Sequence, residues 1–196
     1  MQDTTTSAID RTSGLLAGAR YVPSPNCDPR PAGLPIDLIV VHGISLPPGE
    51  FGGPWIERLF TNALPEDGHP YFKEIASLKV SSHLLVRRDG EVVQFVPFQM
   101  RAWHAGVSNH CGRERCNDFS VGIELEGGDD IPYEPAQYRA LANAIAELCD
   151  AYPSLSPDRV VGHSDIAPGR KTDPGEAFDW PRLRAMLQAA GRRRGT

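Results

Sequence analysis

The chain has 196 residues, of which 40% are hydrophobic and 23% are charged, values typical of one globular domain rather than of a disordered chain. Its formal net charge of -5 argues against a nucleic-acid partner, because binding a phosphate backbone requires clustered lysine and arginine. No stretch is apolar over the length that a bilayer-spanning helix needs, so no membrane partner is expected.

The first segment, residues 1–36, has little helical or strand periodicity. Its prolines between residues 21 and 35 predict an extended, loop-like course. We expect flexible tails at 1–14 and 188–196. The start lacks the basic and apolar stretches of a secretory signal, so a cytoplasmic location is expected, with free thiols on the four cysteines.

Strand and helix patterns alternate along the rest of the chain. In chain order, the patterns predict a buried strand at 38–41, a helix at 54–64, a hairpin of strands 80–87 and 91–96 around Asp89-Gly90, a strand at 120–126, a helix at 135–152, a strand at 159–162 and a helix at 180–190. Because strands and helices intermingle, we predict a single α/β domain, covering residues 1–196, with a central mixed β-sheet flanked by helices.

Two histidines, His42 and His163, each follow a short apolar strand, where functional residues of open α/β sheets gather. Asp173 lies farther along, in a loop that Pro168 and Pro174 stiffen. Two neutral imidazoles and one carboxylate form a zinc site with a fourth position left for water. The alternative is structural: both histidines hydrogen-bond at strand ends and Asp173 forms a local turn.

Three charged residues are candidates for catalysis beside such a site. Glu124 and Glu126 share the polar face of the predicted strand, and a carboxylate near a metal can act as a general base. Lys171 precedes Asp173 by two positions, so in an extended segment it points the same way and could stabilise an oxyanion. The alternative for all three is an ordinary solvated surface charge.

The segment around Trp103 and His104 combines an aromatic face, an imidazole and small neighbours. A tryptophan face suits a sugar ring, although a core tryptophan beside a hydrogen-bonded histidine explains the pattern equally well. His83 lies inside a predicted strand and is interpreted as structural.

Four stretches of the chain carry a resemblance to a known family: Ile39–Pro48, Arg101–Gly106, Gly112–Asp118 and Gly162–Gly175. In this order they resemble the amidase type 2 family, which is related to phage amidases and peptidoglycan recognition proteins. The resemblance is strongest to cytoplasmic members acting on 1,6-anhydro-N-acetylmuramyl-L-alanine. It implies a peptidoglycan recognition protein-like amidase fold and zinc-dependent hydrolysis of the amide between N-acetylmuramic acid and L-alanine in wall recycling. It implies an anhydromuropeptide substrate and no obligate protein partner.

The resemblance also implies roles for the candidate residues. It assigns the zinc ion (Zn2+) to His42, His163 and Asp173, the catalytic carboxylate to Glu124, and a partner of that carboxylate to Lys171. In the mechanism that we hypothesise, Glu124 accepts a proton from the attacking water and passes it to the leaving alanine nitrogen. Lys171 stabilises the oxyanion, and no covalent enzyme intermediate forms.

The remaining implied residues contact the substrate. Tyr71 and Trp103 would line the groove, Arg115 would meet a carboxylate of the stem peptide, and Ala167 would hold that peptide through its backbone. The chain departs from the family at Gly43, where relatives carry an asparagine thought to contact substrate.

Two other functions fit the same residues. A lytic amidase would share the zinc site but act on the polymeric wall, and a non-catalytic module would bind peptidoglycan without cleaving it.

Overall fold

The computed structural model describes residues 8–194. The strands are β1 (Ile9–Asp10), β2 (Leu15–Leu16), β3 (Arg20–Tyr21), β4 (Cys27–Pro29), β5 (Leu38–Ile44), β6 (Leu84–Val86), β7 (Val92–Gln94), β8 (Met100–Ala102), β9 (Asn109–His110), β10 (Arg113–Glu114), β11 (Ser120–Glu126) and β12 (Val160–Gly162). The α-helices are α1 (Trp55–Phe60), α2 (Phe72–Ile75), α3 (Pro135–Ala151), α4 (His163–Ile166) and α5 (Trp180–Arg194). Single 3-10 turns cover Cys116–Asp118 and Pro157–Arg159.

Six strands form the central sheet, in the order β12-β5-β11-β6-β7-β3. The first four are parallel, β7 runs antiparallel to β6, and β3 runs parallel to β7. β5 and β11 are the longest strands and pair over their full length, in a register that puts His42 beside Glu124. The predicted mixed sheet is thereby confirmed.

Helices α3 and α5 cover one face of this sheet. The apolar positions of β11, Val121, Ile123 and Leu125, belong to the same buried cluster as Leu141 and Ile145 of α3. This arrangement explains the apolar alternation in β11 and the three- and four-residue spacing in α3. A capping box between Glu134 and Gln137 starts α3, with proline in its first turn.

The opposite face carries α1 and α2 at one end and the polar positions of β11 nearer its middle. Apolar side chains of both helices pack there on β6 and β7, among them Ile56, Phe60 and Phe72. Among the residues described, no helix combines the length and apolar character needed to cross a membrane.

The N-terminal arm is more ordered than its composition predicts. Residues 8–14, placed by the sequence in a flexible tail, contain β1, which pairs with β2 and buries Ile9 in the core. β3 extends the central sheet, and β4 pairs with β8. These pairings join residues more than 70 positions apart, as in Arg20 opposite Val93, so local periodicity carries no trace of them.

Two further differences concern element ends. α5 continues to Arg194 through most of the predicted C-terminal tail, and α1 ends four residues before the predicted helix does. Residues 1–7 and 195–196, which belong to the predicted tails, lie outside the described residues.

Candidate metal and catalytic site

Two adjacent parallel strands bring the predicted histidines together. His42 lies near the carboxyl end of β5, and His163 follows β12 directly as the first residue of α4. Because Gly162 pairs with Val41, the two imidazoles meet at the same edge of the sheet. The loop after α4 returns to this edge, where the Ser164 amide donates a hydrogen bond of 3.0 Å to the Asp173 carbonyl.

Three side-chain atoms converge at this edge. The Nδ1 atoms of His42 and His163 are 3.0 Å apart, and the Asp173 Oδ2 atom lies 3.0 Å from the His163 Nδ1 and 3.3 Å from the His42 Nδ1. Zinc ligands at about 2.0–2.1 Å from the metal form a tetrahedron with edges of about 3.3–3.4 Å. Each of the three residues offers one of these atoms as a ligand. Their spacing therefore fits a metal ion with tetrahedral coordination.

The charges of His42 and Asp173 also suit a metal ion. Burial lowers the pKa of His42 to about 4, so its imidazole is neutral at pH 7. Burial alone would raise the pKa of Asp173, but its polar contacts with the imidazoles of His163 and His42 outweigh that effect and bring the pKa below its ordinary value. The aspartate is therefore a carboxylate, the form that ligates metal.

The other ring nitrogens face fixed partners. The His163 Nε2 atom lies 3.2 Å from the Ala105 carbonyl oxygen, and the His42 Nε2 atom lies 2.9 Å from the Nδ1 of His104. A carbonyl only accepts hydrogen bonds, so a His163 ring that ligates a metal through Nδ1 can donate to it from Nε2. Such outer contacts fix the orientation of metal-ligating imidazoles.

Glu124 adds a carboxyl oxygen that lacks a hydrogen-bond partner. It lies beside His42, is buried, and its Oε2 atom has no hydrogen-bond partner. Burial, and next the charge of Asp173, raise the pKa of Glu124 well above the usual value, whereas the cation of Lys171 lowers it. A solvated strand-face charge is therefore the wrong description of Glu124.

Glu126 lies on the same face but in a different environment. Its Oε1 atom accepts hydrogen bonds from the Gly52 amide at 2.7 Å and from Arg87 at 3.4 Å, and the Arg88 amide lies 3.3 Å from Oε2. Glu126 is thus buried among hydrogen-bond donors, and its bond from the Gly52 amide holds the loop before α1. It does not line the cavity that contains His42 and Glu124.

One cavity of about 290 Å³ joins the metal-ligand candidates to Glu124, Lys171, Tyr71 and Trp103. Its volume is at the small end for ligand sites, so it suits the reacting part of a substrate rather than a long chain. Trp103 is half-buried, and its indole N–H donates to the Asp28 carboxylate at 3.1 Å, which fixes the ring. Lys171 is exposed at the rim.

Arg115 and Ala167 lie together in a second depression, which Val107 and Arg170 also line. The Arg115 side chain is 70% exposed and lies 3.3 Å from Asp118. Ala167 is buried, its amide donates to the His163 carbonyl at 3.0 Å, and its carbonyl oxygen accepts from the Arg170 and Lys171 amides at 3.1 and 3.0 Å. The predicted site residues therefore divide into two neighbouring groups.

Two residues near the site carry no signal that the sequence analysis identified. The Tyr133 hydroxyl donates to the Pro174 carbonyl at 2.9 Å, directly after Asp173, and a Cβ on Gly43 would lie 2.3 Å from that hydroxyl. The Ser120 hydroxyl contacts His104. His83 is structural, as predicted, because its Nδ1 accepts the Gly122 amide at 3.0 Å.

Comparison with known proteins identifies the family. The sequence profile described as N-acetylmuramoyl-L-alanine amidase matches residues 32–176, a range that contains every predicted site residue. The chain belongs to the N-acetylmuramoyl-L-alanine amidase family. The resemblance found in the sequence is therefore confirmed.

The amidase is similar over most of its length to characterised relatives. It is 62% identical to 1,6-anhydro-N-acetylmuramyl-L-alanine amidase AmpD of Salmonella typhimurium over 174 residues, which are 89% of this chain and 92% of the relative. It matches the crystal structure of a selenomethionine AmpD derivative with a TM-score of 0.87 at 59% identity, covering 89% of this chain and 97% of the other. It also matches AmiD from E. coli in complex with anhydro-N-acetylmuramic acid-L-Ala-D-gamma-Glu-L-Lys, with a TM-score of 0.57 at 32% identity, covering 79% and 59%.

Proposed function

We propose that this amidase hydrolyses the amide bond between 1,6-anhydro-N-acetylmuramic acid and the L-alanine of the stem peptide, in the recycling of cell-wall fragments. The observation that carries the proposal is the convergence of His42, His163 and Asp173 beside the unpartnered oxygen of Glu124. The AmpD relatives, named for this substrate, and the AmiD complex with an anhydromuropeptide support it.

The location and extent of the enzyme are part of the proposal. We place the reaction in the cytoplasm, as the sequence analysis predicts, and we treat residues 1–196 as one zinc amidase domain. Residues from both the N-terminal arm and α5 pack in the same core as the central sheet, which supports a single unit.

Zinc is the metal that we assign to His42, His163 and Asp173. The donor types fit, since two neutral imidazoles and a carboxylate form a common catalytic zinc set with an open fourth position. When bound, the ion supplies a Lewis acid that increases the acidity of water and polarises the scissile carbonyl.

Glu124 performs the proton transfers in this proposal. Its unpartnered Oε2 accepts a proton from the attacking water, and the raised pKa of the buried carboxyl makes it a stronger base than an exposed glutamate. It then delivers that proton to the alanine nitrogen as the carbon–nitrogen bond breaks. Lys171, at the rim of the same cavity, offers a positive charge to the oxygen that becomes negative during attack.

The two depressions suit the two parts of the substrate. We assign the sugar to the cavity with the aromatic rings of Tyr71 and Trp103, since such rings cover apolar ring faces. We assign the stem peptide to the depression that Arg115 and Ala167 line, where the cation of Arg115 would pair with a peptide carboxylate and Ala167 is the backbone contact that the resemblance implies.

The decisive experiment incubates purified enzyme with anhydro-N-acetylmuramyl tripeptide and follows the free peptide by mass spectrometry. We expect release of the peptide, its loss on treatment with a chelator and its return when zinc is added. Glu124→Gln should abolish release, whereas Glu66→Gln, the same change at an exposed position, should not.

Intact sacculi in a parallel reaction test the alternatives. Solubilised sacculi would indicate a lytic amidase. A zinc-loaded protein that cleaves neither substrate would contradict the proposal and indicate a binding module.

A further inference from the structure

The outer contact of His42 differs from that of His163. The Nε2 atom of His163 faces a backbone carbonyl, which fixes the ring by itself, whereas the Nε2 of His42 faces another imidazole, His104, at 2.9 Å. Each nitrogen of a neutral imidazole is either a donor or an acceptor. The His42–His104 contact therefore has two possible directions, and something beyond His104 must select one.

Ser120 and a backbone carbonyl make that selection. The Ser120 Oγ atom lies 2.5 Å from the Cys116 carbonyl oxygen and 3.2 Å from the Nε2 of His104. The carbonyl only accepts, so the hydroxyl hydrogen points to it and the serine oxygen is left to accept from His104. His104 therefore carries its hydrogen on Nε2 and has a lone pair on Nδ1.

The tautomer of His104 determines the tautomer of His42, the proposed metal ligand. A lone pair on the His104 Nδ1 requires His42 to donate from Nε2, which leaves the Nδ1 of His42 without hydrogen. This Nδ1 is the atom that lies 3.0 Å from His163 Nδ1 and 3.3 Å from the Asp173 carboxylate. With the opposite tautomer of His104, either its N–H would face the N–H of His42 Nε2, or the hydrogen of His42 would move to Nδ1 and face the metal position.

We propose that His104 and Ser120 are positioning residues, which fix the tautomer of His42 so that its Nδ1 lone pair faces the metal. This inference rests on the proposed zinc site. It assigns a role to two residues that act through another side chain. His104 contacts the Nε2 of His42, the ring nitrogen opposite the ligand atom, and Ser120 contacts His104.

Neighbouring residues fix the position of His104 in the chain and leave space for its ring. The Asn117 side-chain oxygen accepts hydrogen bonds from the backbone amides of His104, at 3.1 Å, and Ala105, at 2.8 Å. A Cβ on Gly122 would lie 2.4 Å from the His104 ring, so the glycine leaves space for it against β11. Because the Ala105 carbonyl contacts His163, one short segment supports both imidazole ligands.

The test compares His104→Leu, which removes the acceptor, with His104→Asn, whose side-chain oxygen can replace Nδ1. We expect His104→Leu to weaken zinc binding 10–100-fold in competition with a chromophoric chelator, as loss of an outer partner does, and His104→Asn to recover most of it. Ser120→Ala should weaken binding about tenfold, the low end of the same range. His110→Leu, the same change outside this contact chain, should bind zinc like the wild type.

A second measurement reads the tautomer of His104 without metal. In nitrogen-15 NMR of the metal-free wild type at neutral pH, we expect hydrogen on Nε2 of His104. Hydrogen on the His104 Nδ1, or unchanged zinc affinity in His104→Leu, would overturn the inference. A wild type that shows the expected tautomer but neither binds zinc nor cleaves muropeptide would instead contradict the proposed function. If His104→Leu does not fold, Ser120→Ala and the NMR spectrum decide the question.

Discussion

Replacing Glu124 by glutamine should separate catalysis from stability. The side chain is buried and its Oε2 atom has no partner. An unsatisfied buried polar group costs about 1–3 kcal/mol, and more when it is charged. Glutamine keeps the shape without the charge. We therefore expect Glu124→Gln to raise the free energy of unfolding of the metal-free protein by about 2 kcal/mol at pH 7 while it removes the proposed general base and at least about 100-fold of the activity.

The gain in stability should depend on pH in a defined direction. Burial raises the pKa of Glu124 in the folded protein, so between the unfolded value near 4.3 and the raised value the folded state binds more protons than the unfolded one. The stability that this carboxyl contributes is then fully present below about pH 4.3 and is lost as the pH rises. The advantage of Glu124→Gln should be small at pH 4.5 and should grow toward neutrality.

Thermal unfolding of both proteins in a chelator, from pH 4.5 to 8, measures this difference. For a domain of this size about 1 kcal/mol shifts the melting temperature by roughly 2–4 °C, so we expect an increase of about 4–8 °C at pH 7. Glu66→Gln is the control, because that glutamate is exposed. An equal or lower melting temperature for Glu124→Gln at pH 7, or a difference that does not change with pH, would refute the reasoning.

Three other substitutions test the remaining assignments. Lys171→Ala should reduce kcat by about 10²–10³-fold in steady-state assays with zinc affinity unchanged, and retained turnover would remove its oxyanion role. Glu126→Ala should lower the free energy of unfolding in urea by about 1–3 kcal/mol, because it leaves the Gly52 amide without its buried acceptor while Arg87 keeps its ion pair with Glu57; no measurable change would count against the network. Arg115→Ala should raise KM about fivefold, the upper range for an exposed ion pair, and the effect should vanish with a stem peptide whose carboxylates are amidated.

The elements that the sequence predicts well are those whose signal is local. The buried strand at 38–41, the alternating strand at 120–126 and the helix at 135–152 each bury a repeating set of apolar positions, and each is present in the structure. The arm at 8–29 is different, because its strands β3 and β4 exist through hydrogen bonds to β7 and β8. Such partners are set by the tertiary fold, and no pattern inside the arm encodes them.

For the site, residue types and strand ends were sufficient to select His42, His163 and Asp173 as one group, and the structure brings their ligand atoms together. The contacts on the outer nitrogens of the imidazoles could not be predicted from the sequence. Ser120 is an ordinary serine at the start of a strand, and its importance comes from the distances to a carbonyl and to His104. A sequence does not state which nitrogen of an imidazole faces which oxygen.

The two glutamates of β11 show how environment decides the role of identical side chains. Glu124 and Glu126 share a face, both are buried, and the alternation of the strand treats them alike. Glu126 meets a backbone amide and an arginine, so its charge is satisfied and its function is to hold the loop before α1. One oxygen of Glu124 has no hydrogen-bond partner, and burial, followed by the charge of Asp173, raises its pKa. A carboxyl that the fold leaves unsatisfied beside the proposed metal site is available to exchange protons with a substrate, whereas one that the fold satisfies is not. Exchanging these environments, rather than these residues, would exchange the roles.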